Sequence, residues 1–151
     1  MKSSTLVVES RNKYARAAKV VVAGLLSMFA FSSTVYAADE KCPAISDITA
    51  TPMSHGYGFE YQARSIRGGW TGENPGASEP YLDKVQFASA AIGLRIYDGK
   101  PVHFVACDYE GEGWAGIRMS QRFPVAATPV GAGWKGNFCN VGLDQCAFTI
   151  D

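Results

Sequence analysis

From Ile45 onward, apolar residues recur at every second position in short runs, and glycine or proline breaks these runs about every ten residues. That is the pattern of a chain made of strands. The first run is Ile45 to Ala50. The second, His55 to Tyr61, puts Tyr57, Phe59 and Tyr61 on one face and Gly56, Gly58 and Glu60 on the other. Arg67 to Pro80 shows no period and is rich in glycine, proline and polar residues, which predicts a long loop of the functional or mobile kind. Alternation resumes with Val85 and Phe87 and continues through small residues to Ile92. Leu94 to Tyr97, then Asp98-Gly99, then Lys100 to Cys107 is the clearest hairpin. Asp-Gly suits a type I′ turn, with Tyr97 opposite Lys100 and Leu94 opposite His103. Pro101 beside the turn points to an edge position or a bulge and leaves that register open.

The stretch from Val102 to Gly116 is the centre of the chain. Val102, Phe104 and Ala106 share one face of its strand, with His103, Val105 and Cys107 on the other; an acidic, glycine-rich turn then leads to Trp114. In the run after it, Ala115, Ile117, Met119, Gln121 and Phe123 share one face. Gly116, Arg118, Ser120 and Arg122 share the other, so the strand is half-buried with a basic outer face. Trp134 to Cys139 and Cys146 to Ile150 read as a terminal hairpin. Together these predict an all-β domain, a small disulfide-stapled β-sandwich or open barrel of about seven strands.

The first 37 residues do not fit that domain. Lys2, Arg11, Lys13, Arg16 and Lys19 lead into a 12-residue apolar run, Val20 to Phe31, followed by Val35-Tyr36-Ala37, a small-x-Ala cleavage site. This is the anatomy of a secretory signal peptide over residues 1–37, with one β domain over 38–151. The apolar run is well short of the roughly 20 residues that span a bilayer, so no stable membrane insertion is expected once the leader is removed. No lipobox precedes Cys42. The expected location is outside the cytoplasm, periplasmic or secreted.

Removing the leader changes the charge. The whole chain carries 14 basic and 14 acidic residues, whereas 38–151 carries 9 and 13, a net −4. A mildly acidic domain argues against a nucleic-acid partner, which requires clustered Lys and Arg. The four cysteines, Cys42, Cys107, Cys139 and Cys146, all lie in the exported part and read as two disulfides. Three pairings are possible and the sequence does not decide among them. The favoured one joins Cys139 to Cys146 locally and ties Cys42 to Cys107 in the central strand. No Cys-x-x-Cys pair is present, so neither a metal site nor any cofactor is expected.

Three tetrads of the form Gly-Trp-x-Gly hold every tryptophan: Trp70, Trp114 and Trp134. Flanking glycines leave an indole face open for a sugar ring or a partner side chain; equally, each tryptophan could cap the core while glycines make the turns. Asp108, Glu110 and Glu112 alternate, so a strand continuing past Cys107 would aim three carboxylates one way. The plain alternative is a solvated acidic turn. His103 and Cys107 are about 13 Å apart along a strand, too far for a nucleophile pair. No nucleophile elbow, His-Glu-x-x-His or phosphate loop occurs.

Cys42-Pro43, Gly69-Trp70-Thr71-Gly72-Glu73-Asn74, Phe87-Ala88-Ser89-Ala90, Cys107-Asp108-Tyr109 and Cys146-Ala147-Phe148 together resemble a family of small exported bacterial proteins known only as a domain of unknown function. The resemblance implies a secreted, disulfide-bearing β domain and carries over no catalytic residue.

The leading expectation is a non-enzymatic binding domain with an unknown protein or glycan partner. It would use Trp70, Trp114 and Trp134, with Asn74, Glu110 and Glu112 as a polar rim. A periplasmic inhibitor or immunity-type protein that binds a toxin or hydrolase is the alternative, its acidity steering a basic partner. A hydrolase using Asp108 with Glu110 or Glu112 comes third.

Overall fold

Ten strands follow one another in the computed structural model, which describes residues 39–150; the expected leader lies outside the described residues. They are β1 Thr49–Pro52, β2 Phe59–Ser65, β3 Gly68–Asn74, β4 Val85–Tyr97, β5 Lys100–Gly111, β6 Gly116–Phe123, β7 Ala127–Pro129, β8 Trp134–Lys135, β9 Phe138–Cys139 and β10 Phe148–Ile150. All pairings among them are antiparallel. Eight strands form one sheet in the order β1-β2-β3-β6-β5-β4-β9-β8, and β10 with β7 forms a separate ribbon. The described residues are therefore all-β, as the alternation predicts, with more and shorter strands than expected at the C-terminal end. Among the described residues no helix is long and apolar enough to cross a membrane.

The β4–β5 hairpin is the spine. Asp98 (φ 48°) and Gly99 (φ 74°) make the two-residue turn, and Tyr97 pairs with Lys100 and Leu94 with His103. Pro101 sits in the ladder opposite Ile96, and the register shift falls instead between Phe87 and Ser89, at the far end of the hairpin.

Several expectations are corrected. The first run begins with a 3-10 turn, Ile45–Asp47, before β1, and the first half of His55 to Tyr61 is a turn. More importantly, the predicted loop from Arg67 contains β3, which pairs with β2 along its whole length. Its glycines conceal the alternation: Trp70 is the only large inward side chain of the strand. A Cβ on Gly72 would overlap the backbone of Arg118 in β6, so that inward position has to be bare.

The expected terminal hairpin also forms differently. β9 pairs with β8 and with β4, whereas β10 pairs with β7. The Cys139–Cys146 disulfide therefore staples the large sheet to the segment that leads into the ribbon, and Cys42–Cys107 ties the N-terminal segment to β5. Both match the favoured pairing.

The core lies against one face of the large sheet. Tyr61, Trp70, Val105, Tyr109, Met119 and Phe123 point into it, and Cys42, Ile48, Cys146, Phe148 and Ile150 cover them. Phe148 stands edge-on to both Trp70 (6.4 Å, 75°) and Phe123 (5.9 Å, 70°). Glu40 bridges to Phe148 through two backbone hydrogen bonds and packs its nearly buried carboxylate against Arg67 Nε at 3.1 Å. Among the described residues no second layer covers the opposite face of strands β2 to β6, as antiparallel sheets permit.

Candidate functional site

The tryptophans separate into three environments. Trp70 is 1% exposed and belongs to the core, which corrects its assignment to a binding surface. Of its two flanking glycines, Gly72 serves the close approach of β6, and neither frees the indole. Trp134 is half-buried, and its Nε1 donates to the Ala147 carbonyl at 2.7 Å, so it caps the junction of the two sheets. Trp114 is 97% exposed at the β5–β6 turn, beside Gly113 at φ 66°. It is the one tryptophan free to meet a partner.

The polar rim is likewise divided. Asn74 is half-buried; its Nδ2 donates to the Gly116 carbonyl at 3.0 Å, and its Oδ1 accepts from the Gly76 amide at 3.2 Å. That side chain is committed to holding the end of β3 against β6. Glu110, in β5, and Glu112, in the turn, are exposed. Asp108 has both oxygens taken by Arg118, at 2.6 Å from Nε and 2.8 Å from Nη2. An acid–base pair built on Asp108 would first have to break this fork. Among the described residues no three His, Cys, Asp or Glu side chains gather as a metal site.

What the sequence reading missed lies on the uncovered face. In cross-strand order, one row reads Arg64, Gly69, Arg122, Phe104, Gly93. The row beside it is Gln62, Thr71, Ser120, Ala106, Ala91, and the next is Glu60, Glu73, Arg118, Asp108, Ser89. A trench of short side chains thus runs across the strands. Arginines and Phe104 flank it on one side, and a ridge of long charged side chains on the other. Phe104 lays its ring over Gly93, where a Cβ would overlap the ring tip. Open space of about 310 Å³ lies over Phe104, walled by Arg95, Tyr97, Val102, Arg118 and Arg122.

Arg118 is neutralised by Asp108, but no carboxylate among the described residues lies within ion-pair distance of Arg95 or Arg122. The Arg122 guanidinium sits 5.9 Å from the Tyr97 ring centroid, a cation–π approach that orients it over the groove. The face is therefore polarised along the strands. Arg64, Arg95, Lys100 and Arg122 hold one end, and Glu60, Glu73, Glu110 and Glu112 the other. The signal for it was partly present: the basic outer face of β6 is legible in the alternation of Arg118 and Arg122. Arg95 joins it through the hairpin register, opposite Val102.

Compared with known proteins, the chain matches no protein family, no curated protein and no solved structure.

Proposed function

We propose that this protein is an exported, non-enzymatic interaction domain that docks a protein partner on the uncovered face of its large sheet. The observation that carries this reading is a pair of guanidinium groups with no carboxylate partner among the described residues, Arg95 and Arg122, on either side of Phe104 in an open groove. Two arginines beside an aromatic floor suit a partner that presents carboxylates next to an aromatic or apolar side chain. Two disulfides in the described domain support an oxidising location. This reading keeps the binding role expected from the sequence and moves its centre from Trp70, Trp114 and Trp134 to Arg95, Phe104 and Arg122.

Amide-resolved NMR titration with a short peptide of alternating glutamate and glycine ending in tryptophan tests the reading. Shifts are expected at Gly93, Phe104, Ala106, Ser120 and Arg122. Shifts confined to the turns, or none at millimolar peptide, would count against it.

A further inference from the structure

Resting on that reading of the uncovered face, we infer that its partner is a second copy of this chain, stacked face to face about a two-fold axis. The face is complementary to itself. An axis lying between two such faces and running across the strands at Cys107 stacks each strand on its own copy in the opposite direction. On β5 it sets Phe104 over Glu110, Val102 over Glu112 and Ala106 over Asp108; on β6 it sets Arg122 over Gly116 and Ser120 over Arg118. On β3 and β2 it sets Thr71 over Glu73 and Gln62 over Glu60, by the pairings that join the strands.

Two properties then match at once. The trench of short side chains (Thr71, Ser120, Ala106) receives the partner's ridge of long ones (Glu73, Arg118, Asp108), which is shape complementarity of the kind interfaces need. The cationic end of each face also lies on the acidic end of the other. Arg122 comes beside the partner's Glu110, because Glu110 is the cross-strand neighbour of Gly116. Arg95 comes beside the partner's Glu112 end, because Arg95 neighbours Val102. The fully exposed Trp114, next to Glu112 in the chain, is carried to the Tyr97–Arg95 end, where it gains an aromatic and a cation to pack on.

The size is adequate. Five strands spaced about 4.8 Å apart, and the roughly 33 Å from Val102 to Glu112, define a footprint on the order of 600–800 Å² per copy. Standard interfaces bury about 800 Å² per partner. Because the contact is two-fold, it closes at the dimer and does not propagate.

Sedimentation velocity on the purified protein over a range of concentrations tests this, read together with Arg122→Glu and Glu110→Arg. The wild type is expected to form a dimer and nothing larger. Each variant alone should dimerise at least about tenfold more weakly, since it sets like charges against each other. An equimolar mixture of the two should recover the dimer, because in the mixed pair both opposed sites are again of opposite sign. Trp114 emission should shift to shorter wavelength on dimerisation. A wild type monomeric at every concentration, species larger than a dimer, or a mixture no better than the separate variants would each overturn the proposal. If the wild type is monomeric while the acidic peptide still shifts the face amides, self-pairing fails alone and the docking face stands. If neither occurs, both fail.

Discussion

The hydroxyl of Tyr109 donates to the carbonyl of Pro43 at 2.5 Å, 66 residues away in the chain and beside the Cys42–Cys107 disulfide. Burial pushes the phenol above the ordinary tyrosine range, so it stays a neutral donor at any physiological pH. Tyr109→Phe keeps the ring against Phe87 and leaves the Pro43 carbonyl short of a partner. The expected cost is about 1–3 kcal/mol, measured as a lower urea midpoint with unchanged slope. An unchanged midpoint would mean that water replaces the hydroxyl at no cost.

The two disulfides constrain very different loops, with sequence separations of 65 and 7. In the chain-entropy account they contribute about 4 and roughly 2.5 kcal/mol. Replacing Cys42 and Cys107 together by alanine should therefore destabilise more than replacing Cys139 and Cys146 together. Denaturant unfolding of the two double variants checks the order; the reverse order would show that holding the ribbon to the large sheet outweighs loop length.

Glu40 titrates against its surroundings. Burial raises its carboxyl pKa above the ordinary 4.5, and Arg67 lowers it only in part. A carboxyl whose folded pKa lies above its unfolded value binds more protons folded than unfolded. Its contribution is therefore fully present below about pH 4.5 and is lost as pH rises through the folded value. Glu40→Gln keeps an acceptor for Arg67 and removes the titration. Melting temperatures should fall less with rising pH above 4.5 in this variant than in the wild type; identical slopes would assign no such role to Glu40.

Tryptophan emission separates the three indoles. Acrylamide should quench mainly Trp114, and Trp114→Phe should remove most of the quenchable signal. Trp70→Phe should instead lower stability by a few kcal/mol, because a buried indole against Phe148 is lost. Strong quenching that survives in Trp114→Phe would place Trp70 or Trp134 at the surface.

Local chemistry was readable and remote pairing was not. Asp98-Gly99 announces its turn because few residues tolerate positive φ, and the inward set Ile117, Met119, Gln121 and Phe123 shows directly in the period of two. The strand β3 escaped because its inward positions are Gly68, Trp70, Gly72 and Asn74, which leave no row of apolar residues to count. The C-terminal strands read as partners of each other because they are neighbours in sequence. In the fold, β10 pairs with β7 and β9 with β4, and Phe148 of β10 lies in the core. The glycine-flanked tryptophans were ambiguous for a physical reason: a bare neighbour frees an indole equally for solvent or for a packed backbone. The groove was half legible, as Arg118 and Arg122 declare an outer face, but its polarity appears only once β2 to β6 are set side by side.

The central claim is that partners meet this protein at Arg95 and Arg122. It is tested most directly by the affinity of a peptide copying residues 109–115 for the wild type and for Arg95→Glu/Arg122→Glu, followed by fluorescence anisotropy. The double reversal should weaken binding at least about tenfold, and wild-type affinity should fall as salt rises. Equal affinity for both proteins, at any salt concentration, would contradict the account.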